Sequence, residues 1–176
     1  MKNLLILFAS LFILTCCDKD DDKPKKPIDK LPPATQNGAN TAGCLVNGEA
    51  FLPKGNLQNR LVCNYIDGKD FNISIGEKIN DKIRSLNVIS YNDNLTVGKI
   101  YQLKEFGADS KFGEYIIYNQ DFSKIEYRTN SSIIGELKIT SHNFDKATLS
   151  GTFWFDAVNS AGEKVEIREG RFDMEY

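Results

Sequence analysis

Between residues 41 and 176, apolar side chains recur at every second position, and turn-forming residues interrupt them roughly every 8 to 12 residues. Successive side chains of a β-strand point to opposite faces, so this period yields strands with one face for a core and one for solvent. No segment keeps the i, i+3, i+4, i+7 spacing of an amphipathic helix for three turns. The pattern predicts a single all-β domain over 41–176, built from antiparallel strands joined by short reversals.

The reversals can be named. Asn47-Gly48 lies between Cys44-Leu45-Val46 and Glu49-Ala50-Phe51, and Asp67-Gly68 lies between the strand of Leu61, Cys63 and Tyr65 and that of Phe71, Ile73 and Ile75. Both dipeptides tolerate the left-handed backbone of a tight hairpin. Leu86–Ile89 ends at Asn92-Asp93-Asn94, and Gly98–Leu103 reads as the next strand. Tyr115–Tyr118 and Lys124–Arg128 pair around Asn119-Gln120-Asp121, and Ile133–Ile139 leads into a polar turn at Ser141-His142-Asn143. Leu149, Gly151, Phe153 and Phe155 share one face of a long strand, and Val165 and Ile167 follow the turn Asn159–Gly162. Phe172, Met174 and Tyr176 then fall on the other parity, which requires a one-residue bulge with Gly170 as its natural host. Some ten to twelve strands suit an antiparallel β-sandwich, with a closed lipocalin-like barrel as the alternative.

The N-terminus has a different logic. Lys2 precedes Leu4–Leu14, an uncharged run of 11 residues. That is shorter than the ~20 residues a membrane-spanning helix needs and fits the apolar core of a secretory signal. Leu14-Thr15-Cys16-Cys17 resembles the lipobox read by lipoprotein signal peptidase, so residues 1–16 are expected to be a signal peptide and Cys17 the lipidated residue, with cleavage before Cys16 as the neighbouring alternative. Asp18, Lys19, Asp20, Asp21 and Asp22 resemble the acidic export signal of surface lipoproteins. Pro24, Pro27, Pro32 and Pro33 disfavour regular structure, so residues 17–40 are expected to form a flexible tether. The expected address is the outer membrane, on the cell surface, with the membrane held through lipid as the first partner.

Charge narrows the other partners. Lys and Arg number 22 against 24 Asp and Glu, a net charge of -2, which leaves no excess of positive charge for a nucleic-acid backbone. The single histidine, His142, is too few for the usual zinc sites. Motifs for nucleophilic, phosphate-binding and zinc chemistry are absent from the sequence. No metal, cofactor or catalytic residue is assigned.

Some residues still invite a chemical reading. His142 has Asn143 and Asp145 beside it, but no nucleophile can be matched to it, and a solvated turn residue explains it. The carboxylate pairs Asp67 with Asp70 and Glu166 with Glu169 would serve glycoside hydrolysis only if they met in one cleft; solvated strand edges explain them as well. Removing Cys16 and lipidating Cys17 leaves Cys44 and Cys63, which are either a disulfide or two small buried hydrophobes. Trp154, the only tryptophan, alternates with Phe153 and Phe155. If those two are core, it faces outward as a contact surface for a glycan or protein, unless a loop or second sheet covers it.

Leu31-Pro32-Pro33-Ala34-Thr35-Gln36 and Asn40–Gly48, with Gly151–Phe155, Ala157–Asn159 and Gly170–Asp173, resemble a family of small Bacteroidetes lipoproteins known only as a domain of unknown function. The resemblance implies a β-rich, lipid-anchored protein and brings no activity and no functional residues. The expected role is a non-enzymatic binding module. A barrel carrying a small apolar ligand, lined by Phe71, Tyr101 and Tyr115, is the second reading, and a glycoside-type hydrolase the third.

Overall fold

The protein is described from a computed structural model that covers residues 25–176. The apolar run, Cys16, Cys17 and Asp18–Asp22 lie outside those residues. Among the described residues, no helix is long and apolar enough to cross a membrane.

Among the described residues, eleven strands form one continuous set of antiparallel ladders. They are β1 (Thr41–Val46), β2 (Glu49–Phe51), β3 (Leu61–Ile66), β4 (Asp70–Ile79), β5 (Lys82–Ser90), β6 (Ile100–Leu103), β7 (Lys111–Tyr118), β8 (Lys124–Arg128), β9 (Gly135–Asn143), β10 (Thr148–Val158) and β11 (Lys164–Glu175). Their order is β2-β1-β11-β10-β8-β7-β5-β4-β3, and β9 branches from β10 to carry β6. The branch exists because β10 is long: Thr148–Phe155 pair with β9, whereas Val158 alone pairs with Arg128 of β8.

The predicted alternation sets the core. Ala42, Cys44, Phe51, Phe71, Ile73, Ile75, Leu86, Val88, Leu137, Ile139, Leu149, Phe153, Phe155, Val165, Ile167, Phe172 and Met174 are all buried in one cluster. The sheet curls far enough to bring distant strands face to face. Phe71 of β4 meets Phe172 of β11 at 5.6 Å between ring centroids, and Phe51 of β2 meets Tyr115 of β7 edge-on at 5.8 Å. Phe155 fills the centre over Gly113 and Gly135, where any side chain would collide with its ring or Cβ.

Both short hairpins form as predicted, with Asn47, Gly48, Asp67 and Gly68 all at positive φ. The bulge between β10 and β11 is present, but its host is corrected. Glu169 takes the left-handed backbone at φ 55°, while Gly170 stays in register with Phe153, whose ring leaves no space for a Cβ there.

Three further expectations are corrected. The closed barrel does not form: β2 and β3 end the strand path without pairing to each other, and only the isolated bridge Lys54–Glu77 links the two ends. Phe71, Tyr101 and Tyr115 accordingly pack into the core cluster. The tether is not free up to residue 40. Pro27–Lys30 make a 3-10 turn against β1 and β2, Leu31 is buried, and the N–H groups of Asn37, Gly38 and Ala39 all donate to the carboxylate of Asp173 at 3.0, 2.8 and 3.2 Å. Proline restricts helix and sheet but leaves a chain able to lie in contact with a surface as a strap.

Candidate functional site

Trp154 stands on the outer face of β10, between Phe153 and Phe155, which are both buried. The indole is half-buried rather than free. Its Nε1–H donates to Glu136 Oε2 at 3.2 Å, and the other oxygen of Glu136 accepts from Gln102 Nε2 at 3.1 Å. Arg168 lies against the ring face with its guanidinium carbon 5.6 Å from the centroid.

A bulge lies directly across the ladder from Trp154. Phe153 pairs with Gly170 and Phe155 with Ile167, so Trp154 stands opposite both Arg168 and Glu169. Arg168 follows the inward Ile167 and so faces outward by plain alternation; it ion-pairs with Asp156 at 2.6 Å and donates to the carbonyls of Phe155 and Ile167. A recess of about 520 Å3 lies here, lined by Thr152, Trp154, Gly170, Lys138, Glu136 and Arg171 among others. That volume lies within the ~300–1,000 Å3 range of small-ligand sites. Ala34 of the strap forms part of its wall.

Asp173 was missed by sequence reasoning. It lies on the outer parity of β11, where solvent is expected, yet is only 1% exposed because the strap covers it. Burial opposes its charge, but the Asn37 and Gly38 N–H groups and the Ser150 hydroxyl, at 2.7 Å, outweigh that and hold its carboxyl far below the usual range. Only the short-range sign of a carboxylate amid alternating apolar residues, Phe172-Asp173-Met174, hinted at it.

His142 is corrected in place. It belongs to β9, and the turn comes later, at Phe144–Ala147. Nε2 lies 3.0 Å from the Tyr176 hydroxyl and Nδ1 3.4 Å from the Leu95 carbonyl, with Tyr65 edge-on at 5.1 Å. Burial lowers its pKa, favouring the neutral ring. It is a packing residue at one end of the core.

The carboxylate pairs are held apart from shared chemistry. Asp70 accepts from the Asn92 N–H, and Asp67 is exposed on the hairpin turn. Glu169 pairs with Arg171 at 3.1 Å, and Glu166 is an exposed residue 3.8 Å from Arg168. Cys44 and Cys63 are both free, buried thiols, so the disulfide alternative gives way to the packing one. Burial pushes Cys63 up to about 12 and Cys44 higher still, which removes thiolate reactivity at neutral pH. Among the described residues, no group of three or more histidine, cysteine or acidic side chains could hold a metal ion.

Comparison with known proteins adds one finding. The family described as Domain of unknown function (DUF6252) matches over residues 75–174, more than half of the chain, from the middle of β4 to the end of β11. No curated protein and no solved structure matches. The match takes in the closing hairpin and the residues of the Trp154 recess other than Ala34, but neither the strap nor β1. The chain therefore belongs to the family described as Domain of unknown function (DUF6252).

Proposed function

We propose that this protein is a lipid-anchored, non-enzymatic binding module of the cell envelope, and that it engages a glycan or protein partner through the recess at Trp154. One observation carries the reading: the only tryptophan lines an outward-facing recess, its edge fixed by Glu136 and its face flanked by Arg168. An indole fixed in this way loses little conformational freedom when a sugar ring or an apolar side chain stacks on it. The charged residues of the lining supply hydrogen-bonding groups for orientation.

The anchor rests on the sequence: Lys2, a short apolar run, and small residues leading into Cys17, followed by Asp18–Asp22. The opening stretch from Leu31 to Gly48, with its likeness to small Bacteroidetes lipoproteins, supports the same reading. For the fold, a two-layer sandwich is supported by the ring contacts between β4 and β11 and between β2 and β7, which are not neighbours in the sheet.

Two experiments test this. Because Trp154 is the only tryptophan, intrinsic fluorescence can be titrated with soluble cell-wall glycan fragments and with detergent-solubilised envelope proteins. A saturable spectral shift is expected, lost in Trp154→Ala at unchanged melting temperature; a flat titration with every fraction would defeat the binding surface. Separately, Cys17→Ser should abolish lipid labelling and release the protein from membranes, and retention on the membrane would defeat the anchor.

A further inference from the structure

The two ends of the strand path leave a second opening, distinct from the Trp154 recess. A groove of about 1080 Å3 runs between β1 and β3, with Thr41, Ala42, Pro32, Leu52 and Met174 along one side and Leu61, Val62 and Cys63 along the other.

Its walls are backbone edges. The Arg60 carbonyl accepts from the Gly76 N–H at 2.6 Å, in register with the ladder that pairs Leu61 with Ile75. In an antiparallel ladder the residues alternate in direction, so Val62 and Asn64 also bond to β4, while Leu61, Cys63 and Tyr65 turn their N–H and C=O groups away from it. None of those three has a backbone partner among the described residues. On the facing wall, Val46 and Glu49 close the two-residue turn, so Val46, Cys44 and Ala42 point toward β2. At Ala42, however, β2 has already ended, its last residue Phe51 standing opposite Cys44. Ala42 is 2% exposed, and its outward amide has no partner among the described residues.

Buried backbone groups are nearly always paired in folded proteins. Edges left open are normally shortened or charged to prevent pairing. The rest of this sheet follows that rule: β2 has three residues and β6 four, and β8 carries Lys124, Glu126 and Arg128. β3 breaks it. Leu-Val-Cys-Asn-Tyr-Ile is a six-residue edge that includes the strand formers Val62, Tyr65 and Ile66 and carries no charge and no proline.

We propose that the groove is a strand-addition site, which takes one extended segment of a partner protein between β3 and β1. The segment hydrogen-bonds to Leu61, Cys63 and Tyr65 on one side and to Ala42 on the other, and its inward side chains are apolar to match Leu52, Leu57 and Met174. An acidic residue at its end meets Lys30 and Arg60, which line the groove and make no ion pair among the described residues. A lone strand fits because the groove is walled on both sides. A second copy would have to bring its whole sheet in behind its edge.

Amide hydrogen exchange on the full chain, purified in detergent, tests this directly. In the free protein the amides of Ala42, Leu61, Cys63 and Tyr65 should exchange at least tenfold faster than those of Val62 and Asn64. The probes are alternating Val-Thr heptapeptides ended with glutamate, their lysine-ended counterparts, and glutamate-ended versions N-methylated at alternate residues. The glutamate-ended peptide should slow the four amides at least tenfold, the lysine-ended one should bind more weakly, and the methylated one should have no effect. Trp154→Ala should leave all of this unchanged, so failure here is separable from failure of the recess. Protection already present in the free monomer, protection that rises with protein concentration, or no slowing by any peptide at millimolar concentration would each overturn the proposal.

Discussion

A single carboxylate holds the strap, and its energetics are readable from its partners. Asp173 accepts from three consecutive backbone N–H groups and from Ser150. Hydrogen bonds to a charged group contribute ~1.5–3 kcal/mol each, well above neutral ones. In Asp173→Asn one acceptor oxygen becomes an NH2 group that faces other donors, so we expect a loss of about 2–4 kcal/mol, measured by urea denaturation at neutral pH. The pH dependence has a defined sign. The folded pKa is depressed, so the stabilisation is complete above the unfolded carboxylate value of ~3.9 and is lost as pH falls below it toward the folded pKa. The wild-type chain should therefore weaken steeply between pH 4 and 2 (roughly the window from the unfolded carboxylate downward), and the Asn variant should lose part of that slope. Equal slopes would show that other carboxylates dominate acid unfolding.

At the level of strands, the bulge joins local chemistry to the candidate site. Gly170→Ala would drive a methyl group into Phe153, whose ring and carbonyl already occupy that space. With the core well packed there, we expect a loss of ~1–3 kcal/mol, and a wider disturbance that shifts the Trp154 emission. Glu169→Gly should behave in the opposite way, since glycine accepts φ 55° without strain: stability unchanged or up to ~1 kcal/mol higher by thermal melting. These two residues also show how far the sequence can be read. The parity change between Ile167 and Phe172 was legible, because alternation is a local property of the chain. Which residue absorbs the slip was not, because that is decided by Phe153 across the ladder. The Asn47-Gly48 and Asp67-Gly68 hairpins were legible for the same local reason. His142 was misplaced because its polar neighbours imitate a turn, whereas its pairing with Leu149 extends β9 past them. The outward parity of Trp154 could be read from Phe153 and Phe155 and that of Arg168 from Ile167, but their meeting depends on the register of β10 against β11.

For the whole molecule, the structure changes where the folded unit begins. The alternation starts at Thr41, yet Leu31 and the Asn37–Ala39 amides belong to the packed body. No local signal in the proline-rich segment announces this, since the partner of those amides is Asp173, 134 to 136 positions away. A chain starting at Lys25 and one starting at Thr41 should both give β-type far-UV spectra. The shorter one should melt roughly 5–15 °C lower, as expected for a loss of a few kcal/mol in a domain of this size. Coincident melts would show that the strap contributes nothing. Whether the sheet closes was likewise beyond the sequence, because it depends on two strands, β2 and β3, that never pair. The strap has a mechanical consequence as well. A pull arriving through the N-terminal segment is taken up first where Pro27–Lys30 and Leu31 pack, and then at the Asp173 latch. Its three backbone bonds share one acceptor, so they resist as a unit and fail nearly together, acting as a fuse with a threshold rather than a spring. Below that threshold the load passes through Asp173 into β11 and β1 is shielded; a segment that peels from its N-terminal side gives up Ala34 before the latch, so the recess beside Trp154 loses part of its lining first.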